Sequence, residues 1–429
     1  MGQDNKYPDS RLIADLCREG ADKQYKKLRF QAFVAATLGY SLYYVCRTSL
    51  NVMKQPIIDS GVLDATQLGI IGACLYWTYA VGKFVNGFLA DYCNIKKFMA
   101  TGLVISAFAN FVMGMLGVWN GVAGIASSLM FVMFAIMWTI NGWSQSMGSP
   151  PAIISLSRWY PLNIRGTYYG FFSASHNFGE GLSFIFVAAL VSAAGWQWGF
   201  FGASIAGALG VTLIALWLHD TPESKGLAQV EVLAGEKTQE ELDAEAAEKA
   251  AQSADSAAET KRIQRAVLRN PGVWILALSS AFMYMSRYAI NEWGMFFLQK
   301  TKGFDLMEAV ALALFFYGGD SWAVNILAMV LFGIAIGVLI CFVGGLMAVD
   351  LVPRKATGAA LGIVGLASYA AAGLMNIISG ILIDGMATPD PVSGELVYDF
   401  TYVSVFWLGA AIISFLLPIL NWGRKKMEI

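Results

Sequence analysis

Residues 44–51 read YVCRTSLN and residues 284–291 read YMSRYAIN, each inside an apolar stretch, and these two octapeptides decide the fold. Tyr44 matches Tyr284, Arg47 matches Arg287 and Asn51 matches Asn291, always 240 residues apart. A membrane chain whose halves repeat in this way is built from two related helix bundles around a midplane site. A second pair repeats at a different interval. Ser175 and His176 in SASHNFG match Ser368 and Tyr369 in LASYAAA at a separation of 193. The two separations differ by 47, so the second half lacks roughly one span of about 20 residues, its loop and part of another span. The gap falls between about residues 306 and 320.

Composition agrees with a membrane protein. The 429 residues are 57% hydrophobic and 14% charged, with a mean hydropathy of +0.56, far too apolar for a soluble domain. The net charge of −1 and the lack of a basic stripe exclude nucleic acid as a partner. The first thirty residues are polar, without the apolar core of a cleaved signal peptide, so the first helix is expected to be retained. Cys17, Cys46, Cys74, Cys93 and Cys341 are scattered without metal or CxxC spacing and read as small apolar fillers. Nothing calls for a metal or a cofactor. No nucleophile elbow, paired catalytic carboxylates or P-loop is present, so the chain does not read as an enzyme.

The fold class is all-α polytopic, with about ten full spans instead of twelve. Six are expected in the first half, near 31–50, 66–90, 98–118, 121–147, 166–194 and 197–217, and four in the second, near 271–299, 321–349, 357–385 and 399–421. The apolar piece 306–317 is too short to cross. The expected division is a cytoplasmic segment 1–30, an N-terminal six-helix bundle 31–217, a polar, partly helical linker 218–270, a C-terminal bundle 271–421 lacking about one and a half spans, and a tail 422–429. Lys and Arg of the N-terminal segment, of 94–97, of 158 and 165, of the linker, of 354–355 and of the terminal GRKK then share one face. The positive-inside bias makes that face the cytoplasm and puts both termini there, in a bacterial inner membrane.

Charge inside a span is costly and usually faces a cavity or a counter-charge. Arg47 and Arg287, symmetrically placed, would both face the axis between the bundles, where two guanidinium forks suit the oxygens of a phosphate dianion. The alternative is internal pairing, for instance Arg287 with Glu292, or snorkelling. Lys83 either adds a third positive charge or neutralises an acid between helices. His176 shares a polar stripe with Ser173 and Glu180, and reads either as a packed histidine or as a phosphate ligand or proton partner. Tyr43, Tyr44, Tyr284 and Tyr288 flank the arginines, and with Asn141, Gln145 and Asn291 are candidates to bond the hydroxyls of a sugar or polyol. Gly87, Asp91, Lys96 and Lys97 form a helix-end turn whose role reads as conformational.

RTSLN (47–51), GKFVNGFLAD (82–91), NGWSQSMGSP (141–150), ASHNFG (174–179) and SRYAINEWG (286–294) together resemble the organophosphate:phosphate antiporter family of the major facilitator superfamily. The similarity runs from about residue 30 to 420 apart from the gap, and NEWG points to the hexose-phosphate sensor and transporter branch. The resemblance implies a major facilitator fold of two pseudo-symmetric bundles. It also implies phosphoryl binding by Arg47 and Arg287, with Lys83 and His176 near the site, and exchange of a hexose phosphate or glycerol 3-phosphate for inorganic phosphate. Two features depart from the family: Glu180 stands where a small residue is usual, and the eighth span, the second GxLSD-like turn and part of the ninth span are missing. The same residues fit a receptor that senses hexose phosphate for a partner kinase, and the gap fits a transport-incompetent deletion product.

Overall fold

The computed structural model describes residues 10–233, 265–302, 357–391 and 396–421, with 241, 244 and 262. The expected span 321–349, the piece 306–317, the gap, Arg354, Lys355, Cys341 and the terminal GRKK lie outside the described residues.

Among the described residues ten helices carry the architecture. They are α1 (Ser10–Asp59), α2 (Ala65–Tyr92), α3 (Ile95–Ala123), α4 (Ser127–Gln145), α5 (Ser149–Trp159), α6 (Leu162–Ala194), α7 (Trp196–Trp217) and, after a four-residue helix α8 (Val230–Leu233), α9 (Pro271–Lys302), α10 (Thr357–Gly385) and α11 (Thr401–Leu416). Seven are long and apolar enough to cross a bilayer: α2, α3, α6, α7, α9, α10, and α11 with its 3₁₀ extension. Helices α1 and α4 fill two more expected places. Their apolar content is diluted by Arg47, Lys54, Asn51, Asn141 and Gln145, all of them buried. The outer faces of the bundles are apolar, with Phe108, Ile185, Leu209 and Leu216 more than half exposed, as a lipid-facing surface requires.

Sequence signals set the helix limits. Asp64 caps α2 in a capping box with Gln67, and Asn94 caps α3 by accepting from the Lys97 amide. The third span outruns its expected end and the fourth starts later, because Gly124 adopts the left-handed conformation (φ 65°) that closes α3. Pro418 lies where α11 tightens into the 3₁₀ turn Leu417–Asn421. The N-terminal segment is not separate from the first span, since α1 is continuous from Ser10. Tyr25 stacks on Trp159 of α5 and donates to its carbonyl at 2.8 Å. The start of the linker docks as well, with Val230 buried in the same cluster as Tyr25, Trp159 and Leu218.

The all-α reading missed one small sheet. Ala387–Pro389 pairs antiparallel with Leu396–Tyr398, Thr388 opposite Val397, just beyond the end of α10.

The bundles meet where α2 packs along α10 and α1 approaches α9. Glycines permit this approach: a Cβ on Gly69 would stand 2.5 Å from the Asn376 carbonyl oxygen, and one on Gly380 would stand 2.6 Å from that of Ala65. Toward the other end of α10 the packing opens. Around Gly362 and Gly365 no described atom lies within 4 Å of a Cβ position, and Lys83 and Phe84 of α2 are exposed. The two bundles are therefore closed at the Lys54 end and apart, among the described residues, at the Lys83 end.

Candidate functional site

Arg47 and Arg287 come from opposite bundles onto one aromatic cluster. Arg47 is 4% exposed, and its Nη2 donates to the Tyr288 hydroxyl at 3.3 Å. Its Cζ lies 4.4 Å from the ring centre of Tyr79, 5.3 Å from Tyr44, 5.4 Å from Tyr76 and 5.7 Å from Tyr369. Arg287 sits 5.6 Å over Tyr288. Lys83 reaches Tyr369 from α2, its Nζ 5.3 Å above the ring. A desolvated contact of this kind, as at Arg47, contributes about 2 kcal/mol or more and an exposed one, as at Lys83, about 0.5–1, and they hold the cations in place without neutralising them. Among the described residues none of the three makes an ion pair.

The repeat read from the sequence reappears as geometry. Tyr44 faces His176 at 5.7 Å, and its counterpart Tyr284 faces Tyr369, the counterpart of His176, at 5.3 Å. Ser175 accepts through its carbonyl from Ser41 at 2.8 Å, while Ser368 bonds Ser280 at 2.8 Å. His176 and Tyr284 thus join the arginines and Lys83 around one cluster of tyrosines.

Glu292 is not the partner of Arg287. Lys54 of α1 takes it, Nζ to Oε2 at 2.9 Å, with side-chain exposures of 0% and 6%. Asn51 donates to Glu292 Oε1 and to the Asn291 carbonyl, both at 3.1 Å, and Tyr76 donates its hydroxyl proton to the same carboxylate. Lys54 lies 4.1 Å over Trp293. Asn291 is committed to this seam, donating to Glu180 Oε1 at 2.8 Å. Further toward the closed end Lys300 pairs with Asp59 at 2.7 Å, and Asp384 of α10 accepts from the free N–H groups of Ala65 and Thr66 that start α2.

Three expected contacts of the organic moiety are corrected. Tyr43 is fully buried and donates to the Met99 carbonyl, inside the N-terminal bundle. Asn141 donates to the Cys46 carbonyl at 3.1 Å and accepts from Ser106, and Gln145 donates to the Tyr43 carbonyl at 3.0 Å and to Ser106. All three satisfy buried polar groups where helices of the N-terminal bundle cross. The side chains of Gly87 and Asp91 lie outside the described residues. Lys96 and Lys97 stand in the first turn of α3, but the latch there is made by Asp220, which accepts from the Ile95 amide at 3.1 Å and pairs with Arg158 at 2.5 Å.

Sequence reading missed Lys54, Tyr76, Tyr79 and Asp384 as cross-bundle residues. For Lys54 the signal was available, since 47, 51 and 54 form one helical stripe. The tyrosines of α2 and Asp384 carry no comparable pattern.

Two helix bundles of a membrane protein thus meet with Arg47 and Arg287 between them. Residues 36–319 match the Major Facilitator Superfamily, and the chain belongs to that family. Its fold is shared with the nucleoside transporter NupG, with a TM-score of 0.61 over 92% of this chain and 100% of that one at 15% identity. Within the superfamily it belongs with the organophosphate:phosphate antiporters. It is 33% identical to a probable hexose phosphate transport protein of Chlamydia pneumoniae over 70% of this chain and 64% of the relative. It is 32% identical to the membrane sensor protein UhpC of Escherichia coli, over 72% and 66%. With the hexose-6-phosphate:phosphate antiporter of Escherichia coli it shares 30% identity over 83% of each. The chain thus spans about two thirds of the length of the first two relatives. The last alignment runs over 402 positions yet takes in 83% of the chain's 429 residues, about 356, leaving about 46 positions without a counterpart here. That number is close to the 47 by which the two repeat separations differ. The chain is a multi-pass inner-membrane protein.

Proposed function

We propose that this protein binds a phosphorylated small molecule between its two bundles and exchanges it for inorganic phosphate by alternating access. One observation carries the reading. Arg47 and Arg287 approach a shared tyrosine cluster from opposite bundles, neither makes an ion pair among the described residues, and Glu292 is taken by Lys54. Each guanidinium offers a fork of donors that matches two phosphate oxygens, with Lys83 as a third charge and His176 at the cavity wall. Two uncompensated cations resist closure of the bundles around an empty cavity, whereas a bound dianion removes the penalty. Movement is then tied to occupancy, which is what couples the two substrates. Hexose phosphate or glycerol 3-phosphate is the organic substrate, with Tyr44 and Tyr284 beside its hydroxyls.

The bundles are residues 31–217 and 271–421, joined by the linker 218–270, with the missing segment between about 306 and 320 and the tail at 422–429. Both termini face the cytoplasm, so the closed Lys54 end faces outward. Lys96 and Lys97 belong to the conformational turn at the inner face together with Gly87 and Asp91.

Similarity to a sensor supports a second reading, a receptor of the same ligand that acts on a partner kinase. Uptake of labelled phosphate into phosphate-loaded proteoliposomes separates them, run on this chain and on a version with the missing segment restored from a relative. Exchange by this chain supports the carrier. Exchange by the restored version alone marks a transport-incompetent deletion product, and phosphate binding without exchange in both supports the receptor.

A further inference from the structure

Among the described residues, Glu180 is an acid beside the arginines that the phosphate reading leaves unexplained. It lies on α6 one turn beyond His176, is 9% exposed, and accepts from Asn291 of the opposite bundle through Oε1 at 2.8 Å. Its Oε2 makes no hydrogen bond among the described residues. A carboxylate in a cavity built for anions opposes the binding of any anion, so its presence needs a compensating purpose.

Counting charge supplies one. Arg47, Arg287 and Lys83 give three positive charges, Glu180 removes one, and the Lys54–Glu292 pair is neutral, so the cavity with a neutral His176 carries two. A phosphate monoester dianion cancels that charge. A substrate with a further carboxylate overshoots it and brings like charges together, whereas a hydroxyl in the same place donates a hydrogen bond to the free carboxylate oxygen.

Resting on the phosphate-site reading above, we propose that Glu180 is a specificity-determining residue that selects phosphate monoesters of neutral sugars and polyols against phosphorylated carboxylic acids. Its Oε1 is held by Asn291, which leaves Oε2 for the ligand, and one turn of helix separates it from His176.

Glycerol 3-phosphate and 3-phosphoglycerate differ chiefly in exchanging a CH₂OH for a carboxylate, which makes them the probes. Displacement of bound labelled phosphate by each is measured on the purified full chain at about pH 8, where the phosphoryl groups are dianions. The wild type is expected to prefer glycerol 3-phosphate. In Glu180→Gln, where an amide oxygen still accepts from Asn291, the preference falls by about tenfold, mainly through tighter binding of 3-phosphoglycerate. Glu180→Ala shifts the ratio in the same direction and serves if the Gln variant does not fold. A ratio unchanged in both variants, or a wild type that prefers 3-phosphoglycerate, overturns the role of Glu180 while leaving the anion site standing. A wild type that binds no phosphate overturns both.

Discussion

Lys54 and Glu292 meet at 2.9 Å across the two bundles, and neither side chain is more than 6% exposed. Burying two charges costs several kcal/mol per ion, which is recovered here by the short contact and by hydrogen bonds from Asn51 and Tyr76. Removing one partner leaves the other uncompensated. Lys54→Met is therefore expected to lower stability in detergent by about 3–5 kcal/mol, and the double variant Lys54→Met/Glu292→Leu to regain most of the loss. Unfolding of the single and double variants measures both; a Lys54→Met protein as stable as the wild type would show that the pair holds nothing together.

Asp384 should act on conformation rather than on binding. Its carboxylate from α10 meets the positive end of α2, an arrangement that contributes about 0.3–1 kcal/mol when exposed and up to about 2 when partly buried. Asp384→Ala is expected to shift the population toward opening at that end by a few-fold. Distances between spin labels at Ser60 and Thr388 report it, and an unaltered distribution would remove Asp384 from the clasp.

The polar network of α1, α3 and α4 should matter for folding alone. Asn141→Leu takes away the acceptor of the Ser106 hydroxyl proton and one of the bonds to the Cys46 carbonyl, to which Asn110 still donates at 3.0 Å, at a cost of about 1–3 kcal/mol. Phosphate affinity, measured on the same preparation, is expected to stay within about twofold of wild type. A large loss of affinity without loss of stability would return Asn141 to the site.

His219, just past the end of α7, gives a pH signature. Burial, with Lys225 and Lys96 nearby, brings its imidazole down to about 4 from an ordinary 6.5. The unfolded chain then binds more protons than the folded one between those values, so its contribution to stability is complete above about pH 6.5 and is lost as pH falls toward 4. His219→Gln should be less sensitive than wild type across this window in thermal melts. Parallel melting curves would contradict the assignment.

How much of this was legible in the sequence depends on what kind of signal each residue carries. Arg47 and Arg287 announce themselves because charge in an apolar helix is rare and because the repeat places them together. The same test failed for Tyr43, Asn141 and Gln145: uncharged polar residues lie in membrane helices either to line a cavity or to join helices, and sequence periodicity does not separate the two. Tyr76 and Tyr79 were invisible for the opposite reason, since an aromatic residue in an apolar span is unremarkable until the other bundle is placed against it. The pairing of Glu292 turned on one helical turn. Arg287 is its neighbour in sequence, but Lys54 is its neighbour across the seam.

The central claim is that Arg47 and Arg287 form a single anion site through their planar forks. Equilibrium binding of labelled phosphate to the wild type, Arg47→Lys and Arg287→Lys tests it most directly, because lysine keeps the charge and loses the bidentate geometry. Each substitution is expected to weaken binding by at least about tenfold, and to below detection where the wild type binds weakly. Phosphate binding as tight as wild type in either lysine variant would contradict it.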